Sequence, residues 1–123
     1  MTVDLATASA LELAAAIRRR DVSPTEVMAA TLAAIAARNP ALNAIVWLDE
    51  DDARRRAAEA TERLARGAAE EVPPFHGVPL PIKDLYHVAG WPSTYGSPGA
   101  SDAPVTDTSP VIERLVGAGF VLC

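Results

Sequence analysis

Lys83 is the first residue of this sequence whose type suggests chemistry. It lies in the stretch HGVPLPIKDLYHVAG, residues 76–90, and it is the only lysine in a chain with ten arginines. Arginine stays protonated at any accessible pH, whereas a desolvated lysine can release its proton and act as a base or nucleophile. A lysine beside Asp84 is also an ordinary surface charge, because charged side chains usually lie in water. The residue type alone leaves both interpretations open.

The other residues with typical site chemistry do not form a recognisable site. His76 and His87 lack the close spacing of a helical metal-binding pair, and no cysteine or carboxylate cluster surrounds them. The single cysteine, Cys123, excludes an internal disulfide and a Cys-based zinc site. Lys83 lacks the upstream glycines and the following Ser or Thr of a phosphate-binding loop. We therefore expect no metal and no cofactor.

Composition restricts the class of partner. The net charge is −5 with a pI near 4.9, and the arginine triplets stand among acids, so nothing indicates a surface for nucleic acid or an anionic membrane. No apolar run approaches the length needed to cross a bilayer. The first residues lack the basic segment and apolar run of a secretory signal, so we expect a cytoplasmic protein.

Residues 1–67 have the pattern of three amphipathic helices. Ser9 with Glu12 predicts a capping box and a helix to about Arg20. Ser23-Pro24-Thr25-Glu26 predicts a second helix start, and Asn39-Pro40 predicts its end. Residues 44–48 indicate a short buried strand or extended segment. The acids from Asp49 to Asp52 suit the start of a third helix, with an apolar face, an ion-paired outer face and an end at Gly67.

The composition changes near residue 73, because eight of the ten prolines and six of the seven glycines follow it. Residues 68–74 are interpreted as a linker. Residues 78–83 form a predicted extended strand with Lys83 at its end. Residues 90–109 form a charge-poor loop, whose charged residues are Asp102 and Asp107. A helix capped by Ser109 follows, and then an apolar strand at 120–123. The prediction is an α/β strand-loop-helix-strand unit with parallel strands.

The apolar strand at 120–123 raises a physical difficulty. Parallel strands normally lie within larger sheets covered on both faces, and an unpaired apolar strand favours aggregation. We therefore expect a truncated, amino-terminal fragment. Either a second copy, in a homo-oligomer, or the remaining part of the chain should cover this strand or the charge-poor loop.

Several short motifs resemble the start of amidase-signature enzymes, and the resemblance extends over nearly the whole chain. The matching residues are Gly77-Val78-Pro79, Lys83-Asp84, Val88-Ala89-Gly90, Pro92 with Thr94, Gly96-Ser97, and Arg114-Leu115 before Ala118-Gly119. The resemblance implies an incomplete amidase domain over residues 1–123, with the helical part at 1–67 and the start of a mixed-sheet α/β core at 75–123.

The resemblance also implies hydrolysis of small carboxylic amides by a Ser-cis-Ser-Lys triad, in which Lys83 matches the catalytic lysine. A guanidinium could not accept the proton that a buried neutral amine accepts. Both triad serines are expected beyond residue 123, and Ser93, Ser97, Ser101 and Ser109 are not substitutes. The chain alone should therefore be inactive.

Other functions stay open on the sequence. The three amphipathic helices would suit a non-catalytic helical interaction domain. Lys83 could instead serve a lysine enzyme that forms a Schiff base or holds a phosphate. Within the family, the chain could belong to the amidotransferase subunit of a transamidation complex as well as to a stand-alone amidase.

Overall fold

Helices dominate the first half of the chain, and a small parallel sheet lies in the second half. The computed structural model describes residues 4–5 and 7–123. The elements are α1 (Ala10–Arg18), α2 (Pro24–Leu42), α3 (Glu50–Arg66), a 3-10 turn (Ala69–Glu71), β1 (Pro79–Leu80), α4 (Pro110–Gly117) and β2 (Val121–Leu122). No helix in this described part of the chain is both long enough and apolar enough to cross a membrane.

Both predicted capping boxes are confirmed. At α1 the Glu12 carboxylate accepts a hydrogen bond from the Ser9 N–H at 2.8 Å, and the Glu12 N–H donates to the Ser9 hydroxyl at 3.3 Å. Ser23 and Glu26 form the same pair of bonds at α2. These bonds satisfy N–H groups that have no partner within the helix, which is why the two helices begin where the serines stand. Helix α1 ends at Arg18, two residues before the predicted end.

The predicted end of α2 at Asn39-Pro40 is wrong, because the helix continues through Pro40 to Leu42. Proline at position 40 has no N–H to donate to the carbonyl four residues earlier, so it removes one bond of the last turn without breaking the helix before it. Asn43 ends the helix in the left-handed conformation, with φ 49°. The Asn39 side chain then accepts from the N–H groups of Ala44 and Ile45, so it fixes the exit of the chain.

Residues 44–48 do not form the buried strand that was one of the two predictions for them. The segment lies outside any helix or strand, and the side chain of Val46 is 62% exposed. Apolar composition alone suggested a buried strand. The other alternative, an extended segment, is compatible with a stretch that lies outside any helix or strand.

Helix α3 matches the prediction closely. The Asp49 carboxylate accepts from the Asp52 N–H at 2.9 Å, and Gly67 follows the last helical residue. Its buried face and its outer ion pairs are as expected. The pairs on the outer face are Arg54 with Glu50, Arg55 with Asp52 and Glu59, Arg56 with Asp52, and Arg66 with Glu62.

The strand-helix-strand unit is also confirmed. Strands β1 and β2 pair in parallel, with Pro79 opposite Val121 and Leu80 opposite Leu122, and α4 lies between them in the chain. The cap of α4 differs from the prediction, because the Ser109 hydroxyl makes no capping bond. It accepts instead from the His87 N–H at 2.9 Å, and this bond connects the start of α4 to the segment after β1.

The core joins the two halves of the chain. Met28 of α2 and Ala53 of α3 belong to one buried cluster with Val121 of β2. Leu122, which is 2% exposed, packs with Val88 and Ile112 in another cluster. The side chains of β2 are therefore buried by this chain itself, whereas much of the charge-poor loop is exposed.

The segment predicted as a linker, 68–74, is fastened to the helices. Val72 is buried in the cluster formed by α1, the start of α2 and Val78. The Arg18 guanidinium donates to the Ala69 carbonyl at 2.9 Å and to the Pro73 carbonyl at 3.5 Å. Residues 68–74 therefore connect the helical part to the α/β part in a fixed position against the helices.

Candidate active site

Lys83 lies in a turn just after β1. Its carbonyl accepts from the N–H groups of Leu85 at 2.7 Å and Tyr86 at 3.1 Å. The side chain is exposed, and its ammonium has neither a hydrogen bond nor an ion pair with another described residue. Arg56 differs, since its Nε forms an ion pair with Oδ2 of Asp52 at 2.7 Å. Lys83 is thus available for contact with a ligand or another segment of protein.

Lys83 lines a cleft of about 290 Å³ whose walls are mainly apolar and aromatic. The cleft lies between the segment 44–47, the turn 81–86 and the first part of the charge-poor loop. Its lining residues include Trp47, Lys83, Leu85, Tyr86, Trp91 and Tyr95. A few polar groups in a mostly apolar concave surface are typical of a small-molecule site.

Asp84 does not form an ion pair with its neighbour Lys83. Its Oδ1 accepts from the Thr94 N–H at 2.9 Å and the Ser93 hydroxyl at 3.4 Å, and its Oδ2 from the Thr94 hydroxyl at 2.6 Å and the Gly96 N–H at 3.3 Å. These bonds, the one from the Thr94 hydroxyl above all, hold the pKa of Asp84 below its usual value. Asp84 therefore fixes the loop against the turn that carries Lys83.

Tyr95 lies between the two anchored residues Thr94 and Gly96, and its backbone is left-handed with φ 55°. Its hydroxyl is 2.7 Å from Nε2 of His87, and Nδ1 of His87 is 3.0 Å from Oδ1 of Asp107. Three side chains thus form a hydrogen-bonded chain at the edge of the cleft.

Aromatic contacts connect the cleft to helix α3. The ring centroids of Trp47 and Trp91 are 5.0 Å apart, and the guanidinium carbon of Arg56 is 5.7 Å from the Trp91 ring centroid. An arginine over an indole face is attracted by the negative potential of the ring. The ion pair of Arg56 with Asp52 fixes the guanidinium in turn, so one wall of the cleft is attached to a regular helix.

A family model described as Amidase matches residues 26–123. The chain belongs to the amidase family. The resemblance to amidase-signature enzymes in the sequence motifs is thereby confirmed.

Relatives in the amidase family include enzymes of two kinds. An acylamidase of Rhodococcus erythropolis is 40% identical over 111 residues, covering 90% of this chain and 23% of that protein. A glutamyl-tRNA(Gln) amidotransferase subunit of Acidothermus cellulolyticus is 39% identical over 119 residues, covering 97% of this chain and 23% of that protein. The crystal structure of a bacterial aryl acylamidase of the amidase signature family superposes with a TM-score of 0.85 at 33% identity, covering 94% and 24%. The chain spans about a quarter of the length of these relatives.

The serines of this amidase-family segment make local bonds. The Ser93 hydroxyl contacts Asp84, that of Ser97 accepts from the Gly99 N–H at 3.3 Å, and that of Ser101 accepts from the Ala103 N–H at 3.1 Å. None of these hydroxyls is hydrogen-bonded to Lys83 in the described residues. Cys123 also lines the cleft, but burial raises its pKa to about 11, so its thiol stays protonated and is a poor nucleophile at neutral pH.

Sequence reasoning selected Lys83 but missed the groups that build its surroundings. The role of Asp84 depends on Thr94, ten residues away across an irregular loop, and such a separation has no periodic signal. His87 was considered only as a metal ligand. A histidine before the charge-poor loop and a carboxylate near the end of that loop were the available signal for the bond between His87 and Asp107.

Proposed function

We propose that this chain is the lysine-bearing part of an enzyme that hydrolyses carboxylic amides, and that Lys83 is the proton acceptor of its Ser-cis-Ser-Lys triad. The observation that carries the proposal is the position of Lys83. The only lysine of an amidase-family chain is free of ion pairs among the described residues, and it lines a mostly apolar cleft.

The lysine needs further protein around it to act as a base. Its side chain is exposed in this chain, where an ammonium is well solvated and keeps its proton. In the complete enzyme we expect the segment that carries both serines to close over the cleft. Removal of water would then favour the neutral amine, which can accept a proton from the neighbouring serine.

Substitution of Lys83 in the full-length enzyme tests this mechanism. Lys83→Arg keeps the charge and the approximate length but cannot accept a proton, so turnover of a simple amide should fall at least about a hundredfold. Turnover by Lys83→Ala should fall by a similar factor, and the melting temperature of this variant should be unchanged. Arg38→Lys, the reverse exchange at an exposed position of α2, is the matched control and should keep full activity. Near-normal turnover by Lys83→Arg would refute the role.

The 123-residue chain itself should neither hydrolyse amides nor react with a fluorophosphonate, because the proposal places both serines elsewhere. The division into a helical part (1–67), a connector (68–74) and the start of the α/β core (75–123) belongs to the same proposal. Amide turnover by the purified chain would overturn the placement of both serines elsewhere. Amide turnover by the full-length protein separates the proposal from a non-catalytic interaction domain, which predicts no activity in either protein.

A second candidate is the amidotransferase component of a transamidation complex. The observation in its favour is the 39% identity to a glutamyl-tRNA(Gln) amidotransferase subunit over 97% of this chain. Amide hydrolysis by the full-length protein purified alone favours the stand-alone amidase. Activity only in the presence of further subunits and a charged tRNA favours the second candidate.

The same proposal includes a substrate, a cellular location and a partner. A small-molecule amide is the expected substrate. The expected location is the cytoplasm, where a protein with a single cysteine and no internal disulfide is typical. A second copy or the remaining part of an amidase chain would contact the charge-poor loop. Analytical ultracentrifugation of the full-length protein distinguishes these two contacts.

A further inference from the structure

Tyr95 is held in an unusual conformation in the cleft that Lys83 also lines. Its φ of 55° is left-handed, a region that large side chains rarely adopt. Such a conformation persists when the surroundings determine it. Asp84 provides this constraint, because its carboxylate binds the backbone N–H groups of Thr94 and Gly96, immediately before and after Tyr95.

The phenol end of Tyr95 is fixed independently. Nδ1 of His87 lies 3.0 and 3.1 Å from the two carboxylate oxygens of Asp107, so Nδ1 carries the hydrogen and donates it. Nε2 then has a free lone pair in the neutral ring and accepts from the Tyr95 hydroxyl at 2.7 Å. The ring of Tyr95 is therefore held at both its backbone and its hydroxyl.

Tyr95 is nevertheless 54% exposed, and it lines the same cleft as Lys83. The walls beside it are apolar, with Trp47 and Leu85 among them. The oxygens of Asp84 already accept four hydrogen bonds and have little capacity for a polar ligand. A rigid, exposed aromatic surface of this kind suits an aromatic group of a ligand.

We propose that Tyr95 is a specificity-determining residue whose ring contacts an aromatic group of the amide substrate, and that His87 and Asp107 are positioning residues that hold this ring. The inference rests on the proposed amide hydrolysis. It adds the substrate class, aromatic amides, and the three side chains that select it.

The hydrogen-bonded chain is tested first, in the 123-residue protein, by nitrogen NMR of the imidazole rings. His87 should carry its proton on Nδ1, and Tyr95→Phe should move the Nε2 signal toward that of a free imidazole nitrogen. Tyr86→Phe is the matched control, because the Tyr86 hydroxyl has no hydrogen bond within the described residues. If the chemical shift of His87 Nε2 is unchanged in Tyr95→Phe, or if Nε2 carries the proton, the positioning role of His87 and Asp107 is overturned.

Selectivity is tested in the full-length enzyme with two primary amides, one with a small aliphatic and one with a phenyl-containing acyl group. Tyr95→Ala should raise KM for the phenyl substrate about tenfold, as expected for the loss of one aromatic contact. The KM for the aliphatic amide should rise less, so the ratio of the two KM values should increase. Tyr95→Phe and Asp107→Asn should cause smaller increases, about threefold, for the phenyl amide only. Asp102→Asn, the same exchange at an exposed carboxylate of the same loop, should cause none.

The outcomes separate this inference from the proposed function. Equal losses with both amides would show a structural role for Tyr95 and overturn the inference. An unchanged KM ratio in Tyr95→Ala, with activity still abolished by Lys83→Arg, would also overturn it and leave the amidase mechanism standing. A wild-type enzyme that hydrolyses neither amide would refute the proposed function and the inference together.

Discussion

Replacing Asp84 with asparagine should release the loop beside the cleft while the rest of the fold stays intact. Each oxygen of the Asp84 carboxylate accepts two hydrogen bonds, one short and one long. Oδ1 binds the Thr94 N–H and the Ser93 hydroxyl, and Oδ2 binds the Thr94 hydroxyl and the Gly96 N–H. An asparagine amide has only one oxygen, so either orientation places an NH₂ group against two of these donors. The hydroxyl of each pair can rotate and accept from this NH₂ group, but the backbone N–H cannot, so one backbone bond is lost whichever way the amide turns.

The expected cost follows from this count. A hydrogen bond to a charged group contributes about 1.5–3 kcal/mol, and the partial exposure of Asp84 reduces that value. The loss of one backbone bond to a carboxylate, with weaker bonds from the other donors to a neutral amide, should therefore cost the closed loop about 2 kcal/mol. Since 1.4 kcal/mol corresponds to a factor of ten, the population of open loop should rise about thirtyfold.

Amide hydrogen exchange measures this change directly, because the Thr94 N–H is one of the bonded donors. Its exchange should accelerate about thirtyfold in Asp84→Asn, and amides of α3 should change little. The low pKa of Asp84 adds a pH test. The unfolded carboxyl takes up a proton near its ordinary value of 3.8 and the folded one only at lower pH, so protection is full above that value and is lost as pH falls through the folded pKa.

The exposed residue Asp102 provides the control, since Asp102→Asn should leave the exchange of Thr94 unchanged. Unaltered Thr94 exchange in Asp84→Asn, or equal acceleration in both variants, would refute the anchoring role. Equal acceleration across the whole protein would show that Asp84 supports the global fold rather than the loop.

Two further predictions concern the packing around His76. In Gly119→Ala, a Cβ would lie 2.7 Å from the His76 backbone nitrogen at a φ of +104°, so urea unfolding should show a loss above about 3 kcal/mol. Gly117→Ala meets open space and should change stability by less than about 1 kcal/mol, and equal losses in both variants would contradict the packing argument. Burial lowers the pKa of His76, whose Nε2–H donates to the Ala60 carbonyl, so acidification below the ordinary value of 6.5 should destabilise the protein. His76→Gln should weaken this dependence, and parallel stability curves for the two proteins would argue against it.

Helix starts could be predicted from the sequence because the responsible interactions are local. The Ser-x-x-Glu pairs at Ser9 and Ser23 and the Asp49 cap each join residues three positions apart, a distance that the sequence displays directly. The pairing of residues 79–80 with 121–122 was predictable for a related reason, since a short strand, a helix and another strand have one strongly preferred arrangement.

The end of α2 and the course of residues 44–48 could not be predicted in the same way. Proline at position 40 removes one bond of the last turn without ending the helix there, and the side chain of Asn39 determines where the chain goes next. The candidate site shows the same limit. Lys83 was identifiable by its residue type. The roles of Asp84, Tyr95 and Asp107 depend on contacts between segments that are distant in the sequence, and no repeating sequence pattern indicates such contacts.

Neighbouring residues in the turn after β1 therefore have separate tasks. Asp84 uses its carboxylate within the chain, to fix the loop that carries Tyr95, and Lys83 keeps its ammonium free at the cleft. This separation means that one wall of the cleft is built from contacts inside residues 44–107, before any other segment is added. Substitution of Lys83 should accordingly change chemistry without changing loop protection, and Asp84→Asn should change loop protection first and turnover only as a consequence. Finding the opposite order, with Lys83→Ala loosening the loop, would mean that the free ammonium is part of the scaffold.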